Sequence, residues 1–253
     1  MNLQNQNQNQ KKFNEWLAGI IDGDGYFALS KKGYTSLEIT MESHDAQCLY
    51  IIKNSLGGSI KPLGSVKALR YRLHDKAGML KVIESVNGEI RNPIRLAQLF
   101  KICDKYGICL KYAENLTYDN GWLSGFIDSD GSVYFNKLSV QIFITVSQKN
   151  KLLLDLLVPL YGGKVYSVKT TESFKWTVSK KSEVLALLEY FKNYNLLSAK
   201  MTRIRLIPTI YDCFNKSMHV ANPTTIEGKI WTKLSGKWET FNDNDNDNDN
   251  DND

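Results

Sequence analysis

The segment Leu17–Gly25, LAGIIDGDG, returns 106 positions later as Leu123–Gly131, LSGFIDSDG. A chain that writes one nine-residue pattern twice is built from two related units, each obliged to fold in a way that tolerates the other. The register persists beyond the motif. Each copy runs into an aromatic-rich segment (Tyr26 and Phe27; Tyr134 and Phe135), then an alternating run (37–43; 140–148), then a leucine-rich stretch. Gly57 and Gly58 are answered by Gly162 and Gly163 at an offset of 105.

Within each unit the pattern predicts helix, two strands, helix, two strands, helix. Asn14 and Asp119 are the expected N-caps, and Gly25 and Gly131 the expected helix stops. Leu37, Ile39 and Met41 alternate with Glu38, Thr40 and Glu42, the period of a strand with one buried face. The expected fold class is therefore α/β, more strictly α+β: two pseudo-symmetric αββαββα halves packed through their motif helices. The N-terminal repeat spans 13–107, a linker 108–118, and the C-terminal repeat 119–241. Residues 1–12, with Gln and Asn alternating, and 242–253, with Asn and Asp alternating, offer no apolar groups to offset the entropy of ordering. Both are expected to be disordered tails, the second one acidic.

Charge points to a polyanionic partner. The formal net charge is +5, but six of the 27 acidic residues lie in the terminal Asn-Asp repeat; without them 32 basic residues face 21 acidic ones, and the body carries +11. No apolar run reaches the roughly 18 residues that would span a bilayer, and the start Met-Asn-Leu-Gln has no apolar leader, so neither a membrane partner nor secretion is expected. Cys48, Cys103, Cys109 and Cys213 form no C-x-x-C pair, and His44, His74 and His219 lie far apart. Zinc is disfavoured, and the cysteines are expected to be buried reduced thiols. His44 and His74 fit structural or phosphate-contact roles.

The repeated motif carries the chemistry. Gly19 and Gly23 are four residues apart and share a helix face, as do Gly125 and Ser129. Small residues there allow two helices to touch backbone to backbone. If the motif helices pack this way, Asp24 and Asp130 emerge side by side at two helix C-termini, where mutual repulsion and both helix dipoles disfavour negative charge. A hard divalent cation relieves this. Mg²⁺ is typically held by one or two carboxylates, with water and substrate phosphate oxygens completing the octahedron. An EF-hand is excluded, because counting from Asp22 puts Phe27 at the sixth position and Gly33 at the twelfth, where Gly and Glu are required.

LAGIIDGDG and LSGFIDSDG resemble the signature of the LAGLIDADG homing endonucleases, and the two copies resemble its single-chain members. The resemblance implies that the eighth motif residues, Asp24 and Asp130, bind metal, with the carbonyls of Gly23 and Ser129 as auxiliary ligands. It leaves Asp22 and Asp128 as structural residues at the helix ends. It also implies a polar residue ending the second strand and a basic residue after the second half-helix, matched by Gln148 and Lys200. In the first half Ser43 aligns with Gln148 and Ile94 with Lys200, so the first half departs from the pattern, with Arg91 or Arg95 as the substitute cation.

Two such sheets side by side would make a DNA-binding β-saddle whose strands enter the major groove. Strand parity counted from Asp24 puts Ala28, Ser30, Lys32 and Tyr34 on the open face, beside Glu38, Thr40, Arg70 and Arg72. The second half would offer Tyr134, Asn136, Gln141, Thr145, Lys175 and Thr177. The resemblance implies a Mg²⁺-dependent endonuclease, with Mn²⁺ as substitute, that acts as a monomer on a long asymmetric site in double-stranded DNA. It would leave 3′ overhangs and promote intron mobility. The alternative is a group I intron maturase that binds its host intron RNA, with or without DNA cleavage. Either function implies a eukaryotic organelle, the mitochondrion ahead of the chloroplast.

Overall fold

The computed structural model of the protein describes residues 3–64 and 66–240; the expected acidic tail, 242–253, lies outside them. The first half begins with α1 (Leu3–Asp24), whose last residue leads without a loop into β1 (Gly25–Leu29). β2 (Thr35–Glu42), a short 3-10 turn (Ser43–Asp45), α2 (Ala46–Leu56), β3 (Ser59–Pro62) and β4 (Ala68–Leu73) follow, then α3 (Lys76–Val86) and α4 (Pro93–Tyr106). The second half repeats the order with α5 (Trp122–Asp130), β5 (Gly131–Asn136), β6 (Gln141–Gln148), α6 (Lys151–Asp155), α7 (Val158–Tyr161), β7 (Lys164–Val168), β8 (Ser173–Val178), α8 (Lys181–Asn193) and α9 (Lys200–Asn215). It adds α10 (Ile226–Glu239).

Two four-stranded antiparallel sheets result, in the matching orders β1-β2-β4-β3 and β5-β6-β8-β7. Their covered faces follow from alternation. Leu37, Ile39 and Met41 of β2 and Ile142, Ile144 and Val146 of β6 are buried with the helices, while Glu38 and Thr40 look the other way. Both motif helices run through the core: Leu17, Ile20, Ile21, Leu123, Phe126 and Ile127 are fully buried.

The helices meet as the small residues predict. A Cβ on Gly19 would lie 2.1 Å from the Trp122 carbonyl, and one on Gly125 1.9 Å from that of Trp16. At such contact no side chain larger than hydrogen fits. Crossed bonds lock the seam: Trp16 Nε1 donates to Asp128 at 2.8 Å and Trp122 Nε1 donates to Asp22 at 2.8 Å. Each bond to a charged acceptor contributes about 1.5–3 kcal/mol.

Four expectations are corrected. Residues 3–12 are helical: glutamine is a fair helix former, the helix is already nucleated by its buried continuation, and Gln10 Nε2 bonds Asn14 Oδ1 at 2.8 Å one turn on. Asn14 is therefore inside α1 and caps nothing, and α5 is opened by Asn120, whose Oδ1 accepts from Trp122 N, in place of Asp119. Cys109 is exposed, although the other three thiols are buried and all four are free. Each half also carries a further helix after its second strand pair, α4 and α9, because the chain turns back to close the motif helix's end. Among the described residues no helix is long and apolar enough to cross a membrane.

Candidate active site and nucleic-acid interface

Asp22 and Asp128 sit two residues before the motif's second acid and are fully buried. Asp22 accepts bonds from Arg91 N (2.7 Å), Asn92 N (3.1 Å) and the Trp122 indole. Asp128 accepts from Leu197 N (2.8 Å), Ser198 N (3.1 Å) and the Trp16 indole. These carboxylates pin the start of α4 and of α9 against the motif helices. Their role is structural, and it delivers one cation to each helix end: Arg95 Nη2 donates to the Gly23 carbonyl at 3.1 Å, and Lys200 Nζ to the Asp128 carbonyl at 2.8 Å.

At the ends of α1 and α5 the two remaining aspartates face each other. A Cβ on Gly23 would lie 2.7 Å from Asp130 Oδ2, which shows how closely one carboxylate abuts the opposite helix end. Burial first, then repulsion by Asp130, pushes Asp24 up to about 7. Burial pushes Asp130 up to about 6, against the Gln148 amide and the cations Lys200 and Arg95. Among the described residues neither carboxylate forms an ion pair. Both open into a cleft of about 670 Å³ lined by Thr40, Glu42, Asp45, Ser129, Lys175 and Lys200 as well.

Among the described residues no three His, Cys, Asp or Glu side chains gather as a metal cage. The donor set suits an ion that takes two carboxylates and fills its other positions with water and ligand oxygens. The Gly23 carbonyl already accepts from Arg95, which leaves one lone pair for any further donor.

The two aspartates have unlike surroundings. Gln148 Nε2 donates to Asp130. In the first half the equivalent position is Met41, not Ser43. Gly25 pairs with Ile39 and Gly131 with Val146, so β6 runs 107 residues ahead of β2, and Leu69 faces Met41 as Phe174 faces Gln148. The alignment at 105 slipped by two residues, a slip that preserves strand parity. Ile94, 58% exposed, does nothing at the site. Of the two substitute cations Arg95 takes the place, because Arg91 turns away to the Glu114 carbonyl (2.6 Å) and lies over the Trp122 ring.

On the open sheet faces the pairing puts Ala28, Glu38, Thr40, Arg70 and Arg72 together in the first half. Tyr134, Asn136, Gln141, Thr145, Lys175 and Thr177 share the second. Glu38 lies between Arg72 Nε (3.0 Å) and Arg70 Nη1 (3.7 Å). Parity fails beyond Leu29. Ser30, Lys32 and Tyr34 belong to the β1–β2 turn, where Ser30 accepts from Gly33 N and Tyr34 N, and Tyr34 stands 72% exposed. Thr145, although on the open face, is only 3% exposed at the cleft wall between Ser132 and Thr177. The sequence reading missed Tyr26, Lys61, Phe143 and Tyr166, whose register places them on the same faces and which plain alternation from Glu38 and Arg70 could have found. It also missed Asp45, which no local pattern marks.

A family model described as LAGLIDADG endonuclease matches residues 17–92 and 123–211. An intron-encoded RNA maturase bI4 of Saccharomyces cerevisiae is 40% identical over 233 residues, which is 90% of this chain and 36% of that protein. The intron-encoded DNA endonuclease ai2a of Dictyostelium discoideum is 38% identical over 240 residues, 92% of this chain and 77% of that protein. The chain thus spans about a third of the yeast relative's length and about three quarters of the other's. The crystal structure of the I-LtrWI LAGLIDADG homing endonuclease bound to target DNA matches with a TM-score of 0.66 at 22% identity, covering 92% of this chain and 98% of that one. The last likeness is one of fold.

Proposed function

The chain belongs to the LAGLIDADG endonuclease family, and we propose that it is a site-specific homing endonuclease that makes a metal-dependent double-strand break in DNA. The observation that carries this reading is the pair Asp24 and Asp130, abutting at two helix ends with no direct ion pair among the described residues and opening between two sheet faces. Asp24 and Asp130 would hold a divalent ion, with the Gly23 and Ser129 carbonyls as auxiliary donors. Bound there, Mg²⁺, or Mn²⁺ in its place, would supply a Lewis acid for the phosphate and a water of lowered pKa. Gln148 orients the Asp130 carboxylate, and Lys200 and Arg95 bring positive charge to each side of the scissile phosphates. The open faces carry Glu38, Arg70 and Arg72 in one half and Lys175 and Thr177 in the other. Unlike donors fit a long asymmetric site read by a monomer.

The names of the relatives favour a gene within an intron, and we place the protein in a eukaryotic organelle, the mitochondrion ahead of the chloroplast. The test is cleavage of a plasmid carrying the intron-free sequence that spans the gene's own insertion point. Linearisation is expected with Mg²⁺ and none with EDTA; an uncut plasmid with Mg²⁺ and Mn²⁺ overturns the reading. The 40% identity to a protein named an RNA maturase favours a second activity, binding of the host intron RNA. Faster splicing of that intron in the presence of the protein would support it, and an unchanged rate would remove it.

A further inference from the structure

Asp45 lies in the turn after β2, in the first half, yet its bonds reach into the second. Its Oδ1 accepts from Ala199 N at 2.9 Å, and its Oδ2 lies 3.2 Å from Lys200 Nζ. Both side chains are largely buried, at 12% and 19% exposure. α9 has no cap from its own N-cap side chain, whereas α4 is capped by Asn92, whose Oδ1 accepts from Ile94 N. The first half therefore supplies the cap that the second half lacks.

A lysine ammonium is a point charge on a flexible stem with three donors, and one acceptor does not fix it. Here two acceptors do: the Asp128 carbonyl and the Asp45 carboxylate. The third donor is left for whatever occupies the cleft that Lys200 lines. Among the described residues no carboxylate clamps Arg95 in this way across the pseudo-axis. The position before α6 that corresponds to Asp45 before α2 is Asn150, an uncharged residue whose Oδ1 accepts from Leu152 N at 3.0 Å, while Arg95 donates to the Gly23 carbonyl.

We propose that Asp45 is a positioning residue for the opposite half: it fixes Lys200 at the end of α5, so that cutting of one DNA strand depends on it and cutting of the other does not. The proposal rests on the endonuclease reading. Two variants of the full chain separate its contributions. Asp45→Asn keeps an oxygen for Ala199 N but loses the charge that holds Lys200; Asp45→Ala loses both.

The test is single-turnover cleavage of a duplex labelled on each strand in turn. Asp45→Asn should slow one strand about tenfold or more while the other stays within about twofold, so that nicked product accumulates. Equal slowing of both strands, or loss in Asp45→Ala with none in Asp45→Asn, would overturn the proposal. Reductive methylation of lysines, read by mass spectrometry, supplies a measurement independent of cleavage. Lys200 should be protected in the parent protein and modified at least about fivefold faster in Asp45→Asn. An unchanged rate overturns the clamp even if the parent protein cuts no DNA, which would be a failure of the endonuclease reading instead.

Discussion

The two helix ends that share the cleft are alike in backbone and unlike in surroundings. Asp24 shares the cleft with Met41, which holds the strand position of Gln148, and has Arg95 at its helix end; Asp130 has Gln148, Lys200 and, from across the axis, Asp45. The seam between them is nearly symmetric, with glycine against carbonyl and indole against carboxylate in both directions. Contacts made by backbone admit no drift. Contacts made by side chains at the rim do, and there the halves have parted.

The strongest attack on this comparison is at its shared element. Asp24→Asn and Asp130→Asn should each abolish double-strand cleavage, a fall of about a thousandfold or more in the rate of linearisation. DNA affinity should stay within about tenfold, because binding rests on the basic sheets. If either variant still linearises its target at the parent rate, the aspartates are not an equal pair.

Next comes the seam. Gly19→Val and Gly125→Val should each cost about 3 kcal/mol, the upper end for overpacking, since the obstructing atoms are backbone carbonyls that cannot swing away. Chemical denaturation should find similar losses at both positions; a loss at one alone would show that the seam is not symmetric.

A smaller effect sharpens the rim difference. Gln148→Met makes the second centre resemble the first and should slow one strand about tenfold, while Met41→Gln should leave the other unslowed. Strand-resolved rates check this.

The smallest effect is one of pH. Asp24, Asp22 and Asp130 are raised to about 7, 7 and 6, each first by burial, and Asp128 is raised for the same reason, from an ordinary value of 3.8. The folded metal-free chain therefore binds more protons than the unfolded one between about pH 4 and 7, and its stability falls as pH rises through that window. Melting should be lower at pH 8 than at pH 6 by a few degrees, on the order of 1 kcal/mol, and added Mg²⁺ should shrink the difference. A melting temperature that climbs with pH would contradict the burial of uncompensated carboxylates.

Much of this arrangement was legible in the chain. Nine residues written twice gave the helix pair, and their glycines gave its closeness. Alternation in 37–42 gave the covered face of β2. The rest is hidden for identifiable reasons. The equivalence of Met41 and Gln148 was lost because the two hairpins differ in length, and a two-residue slip leaves every side chain on its proper face. The helical state of residues 3–12 was missed because composition describes a segment alone, whereas this one extends a helix already formed. Asp45 could not be found at all: its partners are 154 and 155 residues away and joined to it by the packing of the halves.

The connector 108–117 has neither helix nor strand and is tied mainly to the first half, through Asn87 to Cys109 and Lys111 and through Arg91 to Glu114. Because the seam it spans is nearly the same in both directions, the seam itself distinguishes poorly between a half's own mate and the corresponding half of another molecule. Discrimination then falls to local concentration: a short tether holds the mate at an effective concentration on the order of millimolar, far above any stranger's. The choice of mate is thus a property of chain connectivity, made by ten residues that lie outside the cleft holding Asp24 and Asp130.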